Sequence, residues 1–191
     1  MIIIKLLDCR KYQNEPNGTR KDEIRQIILD AMLSGSYGRK KMLKECNNDP
    51  DEVIKRTYKG FETECKVLKH LQEKNPEQGW HFIDPYAGYF KLDCETITND
   101  PDLINSFGTT VEVKRTKLKE GIFYFDKDLN DNDKFWHYVA HDADYLVIVD
   151  STSESKCIII TKEDLNKMKC YQNPWHKEKM TWEITGDIRE L

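Results

Sequence analysis

Long hydrophobic runs are absent from this sequence. No stretch of about eighteen apolar residues occurs, which argues against a membrane-spanning helix. The apolar start at residues 2–7 turns charged at once and lacks the core length and cleavage site of a signal peptide. Neither an internal repeat nor a low-complexity linker divides the 191 residues. We therefore expect one soluble domain that does not contact a membrane.

Several signature motifs are missing as well. The chain has no P-loop, dinucleotide glycine fingerprint, G-x-S-x-G elbow or zinc array. Its six cysteines include no C-x-x-C pair, and their spacing matches no zinc template. Reduced thiols that fill a core are the simpler interpretation, and they predict a cytoplasmic protein.

Excess positive charge is also lacking. The formal net charge is −4, which argues against a protein that coats nucleic acid by bulk electrostatics. It remains compatible with an enzyme that clusters carboxylates around a cation. Basic residues concentrate locally at 39–44 and at 114–119, and each patch is either a nucleic-acid contact or a solvated face.

Residues 1–49 are expected to form a helical N-terminal extension. Helical spacing covers about 19–34 and 37–46, and this pair is either a helix-turn-helix or a plain helical hairpin packed on the core. A better defined helix begins near Pro50 and ends near Lys74.

After Lys74 the hydrophobic period changes to two. Strands are predicted at 80–83, 88–96, 109–115, 145–149 and 157–160, with a helix at 134–141 and a further extended piece at 122–125. The resulting order in residues 50–150 is helix, strand, strand, strand, helix, strand. We expect a single α/β domain around a mixed sheet, with a strand and a helix added in residues 151–191.

Three residues on the predicted strands carry the chemistry. Glu112 and Lys114 share one strand face because residues i and i+2 point the same way. Asp93 lies on the polar face of the predicted strand 88–96, so pairing of these strands would bring two carboxylates and one ammonium together. Close carboxylates stay ionised when a divalent cation neutralises them. The alternative is a surface salt bridge in which the E-x-K spacing occurs by chance.

The helix from Pro50 adds a fourth candidate. Glu64 falls within the apolar face of this helix, whereas Glu62 projects to its solvated side. A carboxylate on the apolar face is costly to bury without a partner, so Glu64 either points at the sheet or reaches water at the rim.

The pattern resembles the PD-(D/E)XK superfamily, the nucleases with a restriction-endonuclease-like fold. The matching residues are Glu64, Asp93 in KLDCE, and Glu112-Val113-Lys114 in VEVKR, although Leu92 rather than Pro precedes Asp93. The resemblance implies that Asp93, Glu112 and the Val113 carbonyl bind Mg²⁺, with Mn²⁺ as a substitute. It also implies that Lys114 serves the attacking water and that Glu64 completes the site.

The expected function is therefore metal-dependent hydrolysis of DNA phosphodiester bonds, most simply by an endonuclease. Arg115, Lys117 and Lys119 are predicted phosphate contacts, and a homodimer is one arrangement for cutting both strands. The alternatives are a non-catalytic nucleic-acid- or protein-binding module on the same fold, and a regulatory protein unrelated to nucleases.

Two weaker signals lie nearer the C-terminus. His137 and His141 have the i, i+4 spacing of a metal-binding helix face, but packing or solvation explains them as well. The aromatic run around Trp136 either stacks on bases or packs on the sheet, and Trp175 with its basic neighbours is undecided.

Overall fold

The computed structural model describes residues 6–92, 100–127 and 131–191, which form a mixed α/β protein. Six α-helices occur in these ranges: α1 (Cys9–Gln13), α2 (Thr19–Ser34), α3 (Tyr37–Glu45), α4 (Pro50–Lys74), α5 (Asn132–Val139) and α6 (Lys162–Leu165). The strands are β1 (Leu6–Asp8), β2 (His81–Phe82), β3 (Tyr89–Lys91), β4 (Leu103–Ile104), β5 (Thr110–Thr116), β6 (Leu118–Lys119), β7 (Ile122–Lys127), β8 (Tyr145–Asp150), β9 (Lys156–Ile160), β10 (Lys169–Gln172), β11 (Met180–Ile184) and β12 (Arg189–Glu190).

The chain forms two compact units. The first comprises the described residues of 1–62 and 86–98, and the second those of 63–85 and 99–191. The boundary falls inside α4, between Glu62 and Thr63.

The first unit is a helical cluster with a small sheet. Helices α2 and α3 bury apolar side chains such as Ile28, Met32 and Leu43 in one core with α4, as expected of a helical hairpin packed on a core. Strand β3 pairs antiparallel with β1, and Phe90 lies in the same core. The prediction that strand 88–96 pairs with strand 109–115 is therefore wrong for the described part of that strand.

The second unit contains the main sheet, in the order β12-β9-β8-β5-β4-β2. Strands β5 and β8 are parallel and the remaining pairs are antiparallel, so the sheet is mixed as predicted. The long helix α4 covers one face through Val67, which packs with Val111, Val113 and Val147. Helix α5 covers the other face, where Phe135 and Trp136 are buried in the core that contains Ile148, Ile158 and Ile160.

A second sheet completes this unit. Its order is β10-β11-β7-β6, so the hairpin after β5 combines with the C-terminal hairpin. Trp182 and Phe123 are fully buried beneath it. Within the described ranges, no helix has the length and apolar character needed to cross a membrane.

Candidate functional site

Glu112 is the buried centre of the site. It lies in the middle of β5, between β4 and β8, and only 1% of its surface is exposed. Its Oε1 atom pairs with the ammonium of Lys114, as the two-residue spacing predicts. Val111 and Val113 point to the opposite face and fill the core under α4. The alternation of β5 thus places one carboxylate and one ammonium together.

The second Glu112 oxygen lies beside His141. The Nδ1 atom of His141 is 3.3 Å from Oε2, yet no aligned hydrogen bond reaches Oε2 from the described residues. Glu112 raises the pKa of His141, which favours the imidazolium. The same Nδ1 lies 3.4 Å from the carbonyl of Asp100, which can only accept, so Nδ1 carries the hydrogen.

The backbone conformation after α5 positions the His141 imidazole. His141 and Asp142 both have positive φ values, 50° and 55°, a left-handed conformation that is uncommon for residues other than glycine. His137 contacts Asp142 at 2.6 Å instead of sharing a site with His141. The two histidines therefore do not share one helix face, because α5 ends at Val139 and His141 lies beyond it.

Asp102 supplies a second carboxylate that the sequence analysis missed. It immediately precedes β4, and because Leu103 pairs with Val111 it lies next to Glu112 across the strand pair. Its Oδ2 atom accepts a 2.8 Å hydrogen bond from the Val113 amide. Burial and then the charge of Glu112 raise the pKa of Asp102 to about 7.

Glu64 adds a third carboxylate from α4. It is half-buried, whereas Glu62 is exposed, in agreement with their predicted positions on the helix. Burial, then the charges of Asp102 and Glu112, raise the pKa of Glu64 to about 8. These carboxylates therefore interact electrostatically although they come from a helix and two strands.

The donor chemistry suits a hard divalent cation. Mg²⁺ prefers oxygen ligands and commonly takes one or two protein carboxylates while keeping several waters. Asp102 and Glu112 offer such oxygens, and Glu112 Oε2 is buried without an aligned donor in the described chain. No group of three or more His, Cys, Asp or Glu side chains is arranged as a metal site within the same ranges. The suitability of the site for a divalent cation consequently depends on the carboxylates of Asp102 and Glu112.

Asp93, the carboxylate expected from the sequence, lies outside the described residues. The strand that precedes β5 in the main sheet is β4, which lies between the predicted strands 88–96 and 109–115. The dipeptide Pro101-Asp102 was the available signal, since residues 103–111 alone separate it from Glu112. A two-residue strand is too short to produce a recognisable alternation.

The predicted basic contacts differ in their surroundings. Arg115 is half-buried and donates to the Ser151 carbonyl at 2.9 Å and to Glu154 at 3.2 Å. Its guanidinium is thus engaged within the protein, whereas Lys117 and Lys119 are exposed. Only the two lysines lie where they can meet a phosphate without breaking an internal contact.

The aromatic run on α5 is a packing feature. Trp136 is 3% exposed and its indole donates to the Ala143 carbonyl at 2.9 Å, while Phe135 is fully buried. Neither ring can stack on a base from this position.

No family model matches the chain, and no curated protein matches it with significance.

Proposed function

We propose that the protein is a metal-dependent nuclease that hydrolyses DNA phosphodiester bonds, most simply an endonuclease. The observation that carries this proposal is the position of Asp102, immediately before β4, beside Glu112 and Lys114 of β5. Two neighbouring carboxylates, one of which raises the pKa of the other, lie next to an ammonium, and a divalent cation and a phosphate would complete this arrangement.

The order of elements supports the same proposal. Helix α4, strands β2, β4 and β5, helix α5 and strand β8 follow in the order of the restriction-endonuclease-like core. Asp102 in place of Asp93 also improves the sequence match. Pro101-Asp102 followed by Glu112-Val113-Lys114 has the Pro-Asp and Glu-x-Lys order after which the PD-(D/E)XK superfamily is named.

Asp102 and Glu112 are the residues that would hold Mg²⁺ or Mn²⁺ in this mechanism, with the Val113 carbonyl as a further oxygen nearby. When bound, the cation supplies Lewis-acid polarisation of the phosphate and acidifies a water. Lys114 orients the attacking water or stabilises charge on the phosphate. The water oxygen forms a new bond to phosphorus, and the bridging P–O bond breaks with a proton delivered to the leaving oxygen.

His141 and Glu64 have supporting roles. His141 lies 3.3 Å from the Glu112 oxygen that Lys114 does not contact, and Glu112 raises the pKa of His141, which favours a proton-donating imidazolium within the site. Glu64 adds negative charge at the same place and, while protonated, limits repulsion before a cation binds.

Cleavage by the Lys114→Ala variant tests this proposal. Plasmid and oligonucleotide DNA are incubated with Mg²⁺, with Mn²⁺ and with chelator. The wild type should cut only with metal, and Lys114→Ala should lose about two to four orders of magnitude in single-turnover rate. Lys156→Ala is the control, since it removes an exposed lysine at the first residue of β9, outside the proposed site, and should keep most activity.

The other outcomes separate the alternatives. Retarded DNA mobility without metal-dependent cutting would favour the non-catalytic binding module. Neither binding nor cutting would contradict the nuclease proposal, as would a Lys114→Ala variant that cuts at the wild-type rate.

A further inference from the structure

Two loops of the second unit are built in the same way. Asn105 is 6% exposed and its side-chain oxygen accepts from the amides of Phe107 and Thr109. Asn173 is 5% exposed and its side-chain oxygen accepts from the amides of Trp175 and His176. Each buried asparagine therefore fixes a hairpin end that presents an exposed aromatic ring two residues further on.

The Asn173 loop joins β10 to β11 and is anchored from below. The Asn173 amide donates to Asp126 at 2.9 Å and to Thr181 at 3.0 Å, and the Thr181 hydroxyl donates to Asp126 at 2.6 Å. The Asn173 backbone amide donates to the Lys179 carbonyl at 2.8 Å. Residues 173–179 thus form a hydrogen-bonded tip on the second sheet, which we term the Trp175 tip.

Trp175 differs from the other tryptophans of the chain. It is 86% exposed, whereas Trp80, Trp136 and Trp182 are at most 6% exposed. An indole is a large apolar surface that normally gains free energy from burial. A rigid support beneath a fully exposed indole indicates a surface that meets a planar partner.

Charge distinguishes the two tips. The Trp175 tip contains Lys177 and Lys179 with one acidic residue, Glu178, whereas residues 105–109 contain no charged side chain. Lysines beside an exposed aromatic ring favour a polyanion that carries flat apolar groups. A nucleic-acid strand with unpaired bases has both properties.

We propose that the Trp175 tip is a nucleic-acid-binding element in which Trp175 stacks on an unpaired base while Lys177 and Lys179 contact phosphates. This inference rests on the proposed function, because it adds a strand-binding surface to a nuclease. It names unpaired nucleotides as part of the substrate, in a single strand or beside a duplex.

Fluorescence titration tests the stacking directly. Unlabelled single-stranded oligonucleotides, of DNA and of RNA, and a blunt DNA duplex are titrated in chelator, so no cleavage is needed. Stacking on the exposed indole should quench tryptophan emission with the single strands and much less with the duplex. Trp175→Phe should abolish this quenching while keeping affinity, measured by anisotropy with labelled strands, within about threefold.

Affinity of three variants completes the test. Trp175→Ala should weaken single-strand binding by about fivefold to 100-fold, because stacking on one base is lost. Lys177→Ala should reduce the slope of log affinity against log salt by about 0.7. Phe107→Ala, which removes an equally supported ring from the uncharged tip, is the control and should stay within about twofold.

The results separate this inference from the nuclease proposal. Wild-type affinity in Trp175→Ala, or an equal loss in Phe107→Ala, would overturn the Trp175 tip even if Lys114-dependent cleavage occurs. Trp175-dependent binding without any cleavage would support the tip and contradict the nuclease. A wild-type protein that binds no oligonucleotide would overturn the tip and point to a protein partner for the indole.

Discussion

At the residue scale, Asp102 is the position on which the site depends. We expect Asp102→Asn to lower metal-dependent cleavage by at least about 100-fold and to weaken Mg²⁺ binding, because a ligand charge is lost. The asparagine oxygen can still accept the Val113 amide, so the strand pair should remain intact. Single-turnover kinetics and metal titration measure the two effects.

Asp144→Asn is the matched control for that change. Asp144 also accepts a β5 amide, that of Thr110 at 2.8 Å, at the first residue of the strand. It should retain cleavage. A fully active Asp102→Asn beside an inactive Asp93→Asn would restore Asp93 as the second carboxylate.

Sequence reasoning reached only part of this site. The pair Glu112 and Lys114 follows from the two-residue period of a strand, and the inward position of Glu64 follows from the helical period. Asp102 depends on which strands pair, a long-range property that local alternation does not encode. His141 depends on a left-handed turn after α5, which neither histidine spacing nor helix periodicity reveals.

At the element scale, elements defined by local periodicity were predicted correctly, whereas the pairing of strands was not. Strand β8 and helix α4 were predicted almost to the residue, because long periodic segments specify their own type. Phe90 and Leu92 also alternate with polar residues, but their buried side faces the helices of the first unit. The four-stranded sheet was missed because its edge strands β6 and β10 are short or exposed.

The junction between β8 and β6 gives a prediction about stability. Asp150 is 5% exposed and accepts from the amides of Leu118, Thr152 and Ser153. Burial acts to raise its pKa, but these amides and the Thr152 hydroxyl together hold the pKa of Asp150 well below its usual range. Asp150→Asn should lower the free energy of unfolding by about 1–3 kcal/mol, since hydrogen bonds to a buried charge are lost.

The pH dependence gives this change a specific signature. A depressed folded-state pKa stabilises the protein above the unfolded value of 3.8, and the contribution is lost as the pH falls further. The difference between wild type and Asp150→Asn should therefore be full at pH 6 and shrink below about pH 4. Denaturant melts at several pH values measure it, with exposed Asp187→Asn as control. A difference that persists at low pH would show that the effect is steric.

At the scale of the whole molecule, carboxylates with a lowered pKa and carboxylates with a raised pKa have opposite effects on how stability depends on pH. Asp150 stabilises the fold when ionised, whereas Glu64 and Asp102 are more easily ionised in the unfolded chain. Groups with raised acid pKa values bind more protons in the folded state, so they remove stability as the pH rises. The metal-free protein should thus be most stable in mildly acidic solution.

We expect the free energy of unfolding of the metal-free protein to fall between about pH 5 and pH 8, by up to about 1.4 kcal/mol per pH unit for each carboxyl that titrates. The folded-state pKa of Glu64, about 8, lies above its unfolded value of 4.5, so its proton is lost first from the unfolded chain across this window. The glutamine of Glu64→Gln cannot ionise, so this variant should flatten the dependence of the free energy of unfolding on pH, whereas exposed Glu62→Gln should leave it unchanged.

Saturating Mg²⁺ should stabilise the wild type more at pH 8 than at pH 5, because a cation and protons compete for the same oxygens. Urea melts of the three proteins, each with chelator and with Mg²⁺, measure both effects. If the free energy of unfolding depends equally on pH in wild type and Glu64→Gln, Glu64 lies in water at the rim of the site. If stabilisation by Mg²⁺ does not depend on pH, the cation binds away from these carboxylates.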